Sequence, residues 1–130
     1  MRLIEVVAAV VRENGRFLVT SRPAGVHLAG MWEFPGGKTS TAESHDAALV
    51  REMREELDVG VQVHGLILST AHDYPDRTVM LYFYRCALLG RPRPLLGQQM
   101  RWVTPEELGD LQFPPADAEL ITLLRTIGDP

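Results

Sequence analysis

A chain of 130 residues fits one domain with a sizeable buried core, and we expect a single domain over residues 1–130. With 45% hydrophobic and 23% charged residues it has the balance of an ordinary soluble globular protein. A net charge of −4 argues against polymeric nucleic acid as a partner, which needs a basic stripe, but leaves room for a small anion whose charge a metal offsets.

The first residues, Met1-Arg2-Leu3-Ile4-Glu5, carry an early acid and no signal-peptide pattern. Residues 3–11 are apolar on both faces and rich in β-branched side chains, which suits a central buried strand. That run is far too short to span a membrane, so no membrane partner is expected. Asn14-Gly15 is a strong hairpin signal, and residues 16–21 return as the second strand. A loop over residues 21–27 follows, shaped by Pro23 and the glycines nearby. Residues 32–37, Trp-Glu-Phe-Pro-Gly-Gly, read as a short strand running into a glycine turn, which brings Glu33 close to the next helix.

That helix has Ser44 as its N-cap and His45, Asp46 and Ala47 in its first turn. Leu49, Val50, Met53 and Leu57 form the stripe expected to pack on a core. Opposite them stand Glu52, Glu55 and Glu56, spaced i, i+3 and i, i+4, so three carboxylates project from one face. Clustered acids on a helix usually mean a solvated face. The alternative is a hard divalent cation among them, such as Mg²⁺, which takes carboxylate, water and phosphate oxygens.

The surrounding residues decide between the two. Gly37, Glu43, Arg51, Glu52, Met53, Glu55, Glu56 and Val59 fill eight of the nine fixed positions of the Nudix box, Gly-x5-Glu-x7-Arg-Glu-U-x-Glu-Glu-x-Gly-U with U aliphatic. The chain resembles the Nudix hydrolases, and more closely their MutT-like branch. The resemblance implies an α/β fold, the Nudix αβα sandwich with a mixed β-sheet between helices. It implies hydrolysis of a nucleoside diphosphate linked to a further group. Mg²⁺ (or Mn²⁺) would be held by Glu52, Glu55 and Glu56 together with a carbonyl of Gly36 or Gly37. Arg51 would orient those acids by pairing with Glu43 or a helix carboxylate. In the MutT-like branch an arginine at the place of Arg22 lies beside the nucleotide; His27 fits that branch, and Phe34 joins the substrate-binding set.

Beyond the box, Gly60 helps the chain leave the helix, and residues 61–71 read as a strand. Residues 72–78 read as a turn around Pro75-Asp76 and lead into an aromatic-rich strand over residues 79–88. One face of that strand can line a pocket. Tyr-Pro-Asp-Arg is similar to the matching hairpin of MutT-type enzymes, which makes Asp76 and Arg77 candidate substrate-binding residues. The single Cys86 forbids an intrachain disulfide and fits a reducing, cytoplasmic setting. A Pro/Gly-rich loop over residues 90–97 precedes a short strand, residues 100–103. Thr104-Pro105 opens a helix as N-cap and first residue. The last helix spans residues 118–127, with Leu120, Leu123, Leu124 and Ile127 facing inward.

Two departures from the family pattern bear on function. Asp58 stands where the box has glycine, a place that favours left-handed backbone, at a cost of roughly 1 kcal/mol. Some MutT-like enzymes also carry a further glutamate in the loop before the Trp102 strand. Here that loop offers Leu96, Gly97, Gln98 and Gln99, so a box glutamate or the metal alone must activate water. The expected activity is that of a nucleotide-pool-sanitising pyrophosphohydrolase, acting as monomer or homodimer on oxidised or modified (d)NTPs, 8-oxo-dGTP and/or cytosine nucleotides, to give NMP and pyrophosphate. Alternatives are another nucleoside diphosphate derivative as substrate, or a catalytically weak nucleotide-binding module. Phe113-Pro114-Pro115-Ala116-Asp117 resembles the segment placed over the base, where many oxidised-guanine enzymes carry asparagine at the Asp117 position. An ionised aspartate only accepts hydrogen bonds, which favours the exocyclic amine of cytosine or adenine, whereas a protonated one restores a guanine-type edge. Asp117 can instead be a simple helix cap.

Overall fold

Strand β1 (Arg2–Glu13) is shared by both layers of the molecule. Its side chains alternate across the sheet, as the two-residue period of a strand requires. Val7, Ala9 and Val11 join one buried cluster with Ala48, Leu49, Met53 and Leu57 of helix α1 (His45–Leu57). Ala8 and Val10 join the other, with Leu120 and Leu124 of helix α3 (Ala118–Ile127). A strand buried on both faces explains why residues 3–11 show no polar alternation. The computed structural model describes residues 2–26 and 28–127, without the side chain of Ile127; His27 lies outside them.

Among the described residues seven strands form one mixed sheet, whose main path runs β3-β2-β1-β6-β5. Asn14 and Gly15 both take positive φ, 52° and 76°, the two left-handed residues that a tight hairpin turn needs between β1 and β2 (Arg16–Ser21). Strand β3 (Trp32–Glu33) extends the β2 edge, and β4 (Gly36–Lys38) pairs with β1 through Val6, Val7 and Ala8. Strand β6 (Arg77–Leu88) runs parallel to β1, while β5 (Val61–Tyr74) pairs antiparallel to β6 and forms the outer edge. Strand β7 (Met100–Val103) returns to pair with β2. Together they make the αβα sandwich, and no described helix is long and apolar enough to cross a membrane.

The helix ends follow local chemistry. Ser44 Oγ accepts from the Ala47 amide at 3.1 Å. Thr104 and Glu107 form a reciprocal capping box at helix α2 (Pro105–Leu108). Cys86 is buried, and burial pushes its thiol up to about 12, which makes it a packing residue.

Three details differ from the sequence expectation. Val50 is 44% exposed, because Ala48 occupies that flank of the stripe instead. Residues 72–78 are not an open turn: β5 and β6 stay paired through Asp73↔Thr78 and Tyr74↔Arg77, leaving only Pro75 and Asp76 to turn. The Thr78 hydroxyl donates to Asp73 at 2.7 Å, and the Arg77 guanidinium lies 5.1 Å from the Tyr74 ring centre, so cross-strand pairs favour the longer ladder. In α3, Leu123 is only half-buried and Ile121 packs on the cluster, while Ile127 lies beyond the described side chains.

Asp58 ends α1 in the left-handed region, φ 51° and ψ 42°. Its carboxylate accepts from Arg93 at 2.7 Å, a partly exposed pair that offsets some of the backbone cost. The strain is about 1 kcal/mol and an exposed pair contributes about 0–1 kcal/mol, weakened by salt. Asp58→Gly should therefore raise stability by about 0.5 kcal/mol at low salt and by more at high salt, read from the urea midpoint. A lower midpoint at both salt concentrations would show that this cap is unstrained.

Candidate active site

Strand β4 is wedged between β1 and α1, with glycine at both points of closest approach. A Cβ on Gly36 would fall on the Val7 carbonyl oxygen, and one on Gly37 would lie 2.6 Å from the Glu52 carboxylate. The acidic face of α1 therefore approaches backbone directly, with no side chain between.

Arg51 organises that face. Its Nε and Nη2 donate to the two carboxylate oxygens of Glu43 at 2.8 and 2.9 Å. Its Nη1 donates to Glu52 at 2.9 Å and to Glu55 at 3.3 Å, and Nη2 also reaches the Lys38 carbonyl at 3.0 Å. These bonds match the five N–H groups of a guanidinium. Hydrogen bonds from Arg51 hold the Glu43 carboxyl down to about 2, and Glu43 in turn raises Arg51.

Glu56 is left out of this network. Its Oε2 is buried with no hydrogen-bond partner among the described residues. Burial, then the charge of Glu52 and a hydrogen bond with it, push the Glu56 carboxyl up to about 9. A buried carboxylate oxygen without a donor fits a place for a cation. Among the described residues no three acidic, imidazole or thiol side chains form a ready cage, and Arg51 accounts for this by drawing Glu52 and Glu55 to itself. Mg²⁺ needs no such cage, since one or two carboxylates suffice beside water and phosphate oxygens. Glu56, next to Gly36 and Gly37 on the same cavity, thus fits a ligand of a hard divalent cation, while Glu52 and Glu55 are engaged by Arg51.

Glu56, Gly36 and Gly37 open onto a cavity of about 500 Å³ that also meets Arg22, Phe34, Arg77 and Asp117. The strand face carrying Arg77, Val79, Leu81 and Phe83 floors it, as the pocket-lining face of the aromatic strand. Phe34 is buried and fixed by a stacked Phe113 at 5.5 Å and an edge-on Phe83 at 6.2 Å. Arg22 pairs with Glu33 at 2.8 Å. Asp117 is buried at 5% exposure, and burial, then the charge of Glu33, push its carboxyl up to about 7 against the lowering effect of Arg22. No side-chain cap from Asp117 onto α3 is found among the described residues; its amide instead bonds the Pro114 carbonyl in a short 3-10 turn, Pro115–Asp117.

Glu52, Glu55 and Arg51 stand behind the glycine strand and do not line the cavity, and Asp76 points away, its side chain 69% exposed beside Arg77. Sequence reasoning missed Lys38 and Tyr74, which line the same cavity; Leu96, from the loop that lacks the further glutamate, lines it as well. Lys38 carried a signal, since it directly follows the glycine pair.

Residues 6–123 match the family model described as NUDIX domain. The chain is 38% identical over 121 residues to the CTP pyrophosphohydrolase of Escherichia coli K12, covering 92% of this chain and 88% of that protein. It is 32% identical over 129 residues to the 8-oxo-dGTP diphosphatase of the same organism, covering 98% and 100%. The solution structure of the E. coli ORF135 protein superposes with a TM-score of 0.86 at 36% identity, covering 99% of this chain and 96% of that one. Hydrolases of that family depend on divalent metals. Fold, box and relatives agree over nearly the whole length, and the chain belongs to the Nudix family as a MutT-type phosphoanhydride hydrolase.

Proposed function

We propose that this chain, acting as one domain over residues 1–130, is a nucleoside triphosphate pyrophosphohydrolase that sanitises the nucleotide pool. Its substrates on this reading are oxidised or modified (d)NTPs, both 8-oxo-dGTP and cytosine nucleotides, cleaved to the monophosphate and pyrophosphate. The cation is Mg²⁺ or Mn²⁺ and the setting is cytoplasmic. The protein works as monomer or homodimer, with neither polymeric nucleic acid nor membrane as partner. One observation carries the reading: Glu56, whose Oε2 has no hydrogen-bond partner among the described residues, lines the same cavity as Arg22 and the buried Asp117. Relatives named for CTP and for 8-oxo-dGTP support both substrate classes.

Glu56 would hold the cation, joined by Glu52 and Glu55 and by a carbonyl of Gly36 or Gly37, and Arg51 orients those two acids. A divalent cation bound there supplies charge neutralisation for phosphoanhydride cleavage. Since the loop contributes no acid, a box glutamate or the cation itself would activate the attacking water. Arg22 and Arg77 bind phosphate or sugar oxygens, Phe34 supports the base, and Asp117 reads its edge. His27 and Asp76 keep a substrate role on the family resemblance alone. A second reading, a nucleotide-binding module with weak turnover, is favoured by the apolar Leu96 at the cavity wall. Pyrophosphate release from a panel of triphosphates separates the two.

Hydrolysis should vanish with chelator and return with Mg²⁺ or Mn²⁺. Glu56→Gln should lower kcat by at least ~10²-fold while the circular dichroism spectrum stays unchanged. A fully active Glu56→Gln protein would sink the assignment.

The base preference should depend on pH. Asp117 loses its proton near pH 7, and only the ionised form accepts from a cytosine amine without a competing donor. The ratio of kcat/KM for dCTP to that for 8-oxo-dGTP should therefore rise from pH 6 to pH 8, since effects common to both substrates cancel in the ratio. Asp117→Asn should flatten that pH dependence and shift preference toward 8-oxo-dGTP by about tenfold or more, in keeping with the ~1–3 kcal/mol of a bidentate pair. Equal loss on both substrates at every pH would show that Asp117 does not read the base.

A further inference from the structure

The loop between β6 and β7 closes over the C-terminal end of α1, where a helix leaves its last carbonyls without intrahelical donors. The Leu95 amide donates to the Glu56 carbonyl at 2.9 Å, and the Arg93 amide donates to the Leu57 carbonyl at 2.8 Å. Gln98 completes the arrangement. Its side chain is buried at 8% exposure; its Nε2 donates to the same Glu56 carbonyl at 3.2 Å, while its Oε1 accepts from the Leu96 amide at 2.8 Å. The adjacent Gln99 is tied to the other side of the cavity, its amide donating to Ser21 Oγ at 2.8 Å and its carbonyl accepting from the Ser21 amide at 3.0 Å. Ser21 immediately precedes Arg22.

We infer that Gln98 is a positioning residue for the cation site, latching the helix turn that carries Glu55 and Glu56 through the Glu56 carbonyl. The inference rests on the metal-site reading above. A buried amide that adds a second donor to the Glu56 carbonyl and accepts from the Leu96 amide has a defined geometry, because its loss would strand the Leu96 donor and leave the carbonyl to the Leu95 amide alone. With the Leu95 and Arg93 amides, its Nε2 places donors at the negative end of the helix dipole, next to two carboxylates that this end repels. The loop that lacks an acid in this chain thus acts on the site from behind, through hydrogen bonds to the backbone of a candidate ligand.

The test is Mn²⁺ binding in the absence of nucleotide, followed by loss of the free-ion electron paramagnetic resonance signal. Gln98→Met keeps the length of the side chain and removes both hydrogen bonds. Gln98→Asn keeps the amide one methylene short and serves as the companion variant should the first not fold. Both should weaken Mn²⁺ by about tenfold or more, the scale on which groups that orient a metal ligand act. KM for dCTP at saturating Mn²⁺ should move less than about threefold, because nucleotide contacts are retained. Leu124→Ala, in the cluster under α3, is the control: it lowers Tm and leaves Mn²⁺ affinity at the wild-type value. Unchanged Mn²⁺ binding in the folded Gln98 variants overturns the inference alone, as does an equal loss in the Leu124→Ala control. Wild-type protein that binds no Mn²⁺ overturns the metal-site reading and this inference with it.

Discussion

The close approach of backbone at Gly36 and Gly37 is the constraint on which the rest of the site depends. Gly36 lies against the Val7 carbonyl of the central strand, and Gly37 lies against the Glu52 carboxylate of the acidic helix. A side chain at Gly36 would push β1 and β4 apart, and one at Gly37 would displace the Glu52 carboxylate. On its far face α1 is anchored by Leu49, Met53 and Leu57, all fully buried. The acids are therefore held between a packed core and a glycine strand, and they inherit the rigidity of the sheet. A constellation held in this way needs little reorganisation when a charged ligand arrives.

Electrostatics alone would pull this face apart, since acids at i, i+3 and i, i+4 repel. Arg51 compensates by spreading its guanidinium over Glu43, Glu52 and Glu55, and a lysine, with three donors on a point charge, could not reproduce that fork. What Arg51 leaves uncompensated is Glu56. The same helix thus separates two conditions: acids already neutralised by the protein, and one buried acid whose charge the protein alone does not support.

Much of this was legible from sequence, for reasons that can be named. Ser44, Thr104-Pro105 and Asn14-Gly15 act through bonds and dihedrals within a few residues, so their signals survive in the linear chain. The β1 run reads as doubly buried because both of its faces are apolar. The failures are long-range. Whether residues 72–74 turn or stay paired depends on Arg77 and Thr78 of the partner strand. Val50 is exposed although it fits the apolar stripe, because Ala48 lies on the side where the sheet stands. Gln98 reads as an ordinary polar loop residue until the Glu56 carbonyl, 42 positions away, is seen beside it. At the candidate site the box identified the acids, but only the fold shows that Glu56 and Asp117 open onto one cavity while Glu52 and Glu55 stand behind it.

That shared cavity has a further consequence. Glu56 and Asp117 are both pushed upward by burial as the largest cause, so without a ligand the cavity penalises their charged forms. On the proposed reading a bound nucleotide reverses this at both ends at once. The cation that accompanies the phosphates favours the ionised form of Glu56, and an exocyclic amine favours the ionised form of Asp117. Arg22 and Arg77, on the same wall, oppose the negative charge that the phosphates bring. A ligand with a metal-chelating polyphosphate at one end and a hydrogen-bond donor at the other meets the demand of both acids at once. A polyphosphate without the base meets only half of that demand, and so does a free base without phosphates.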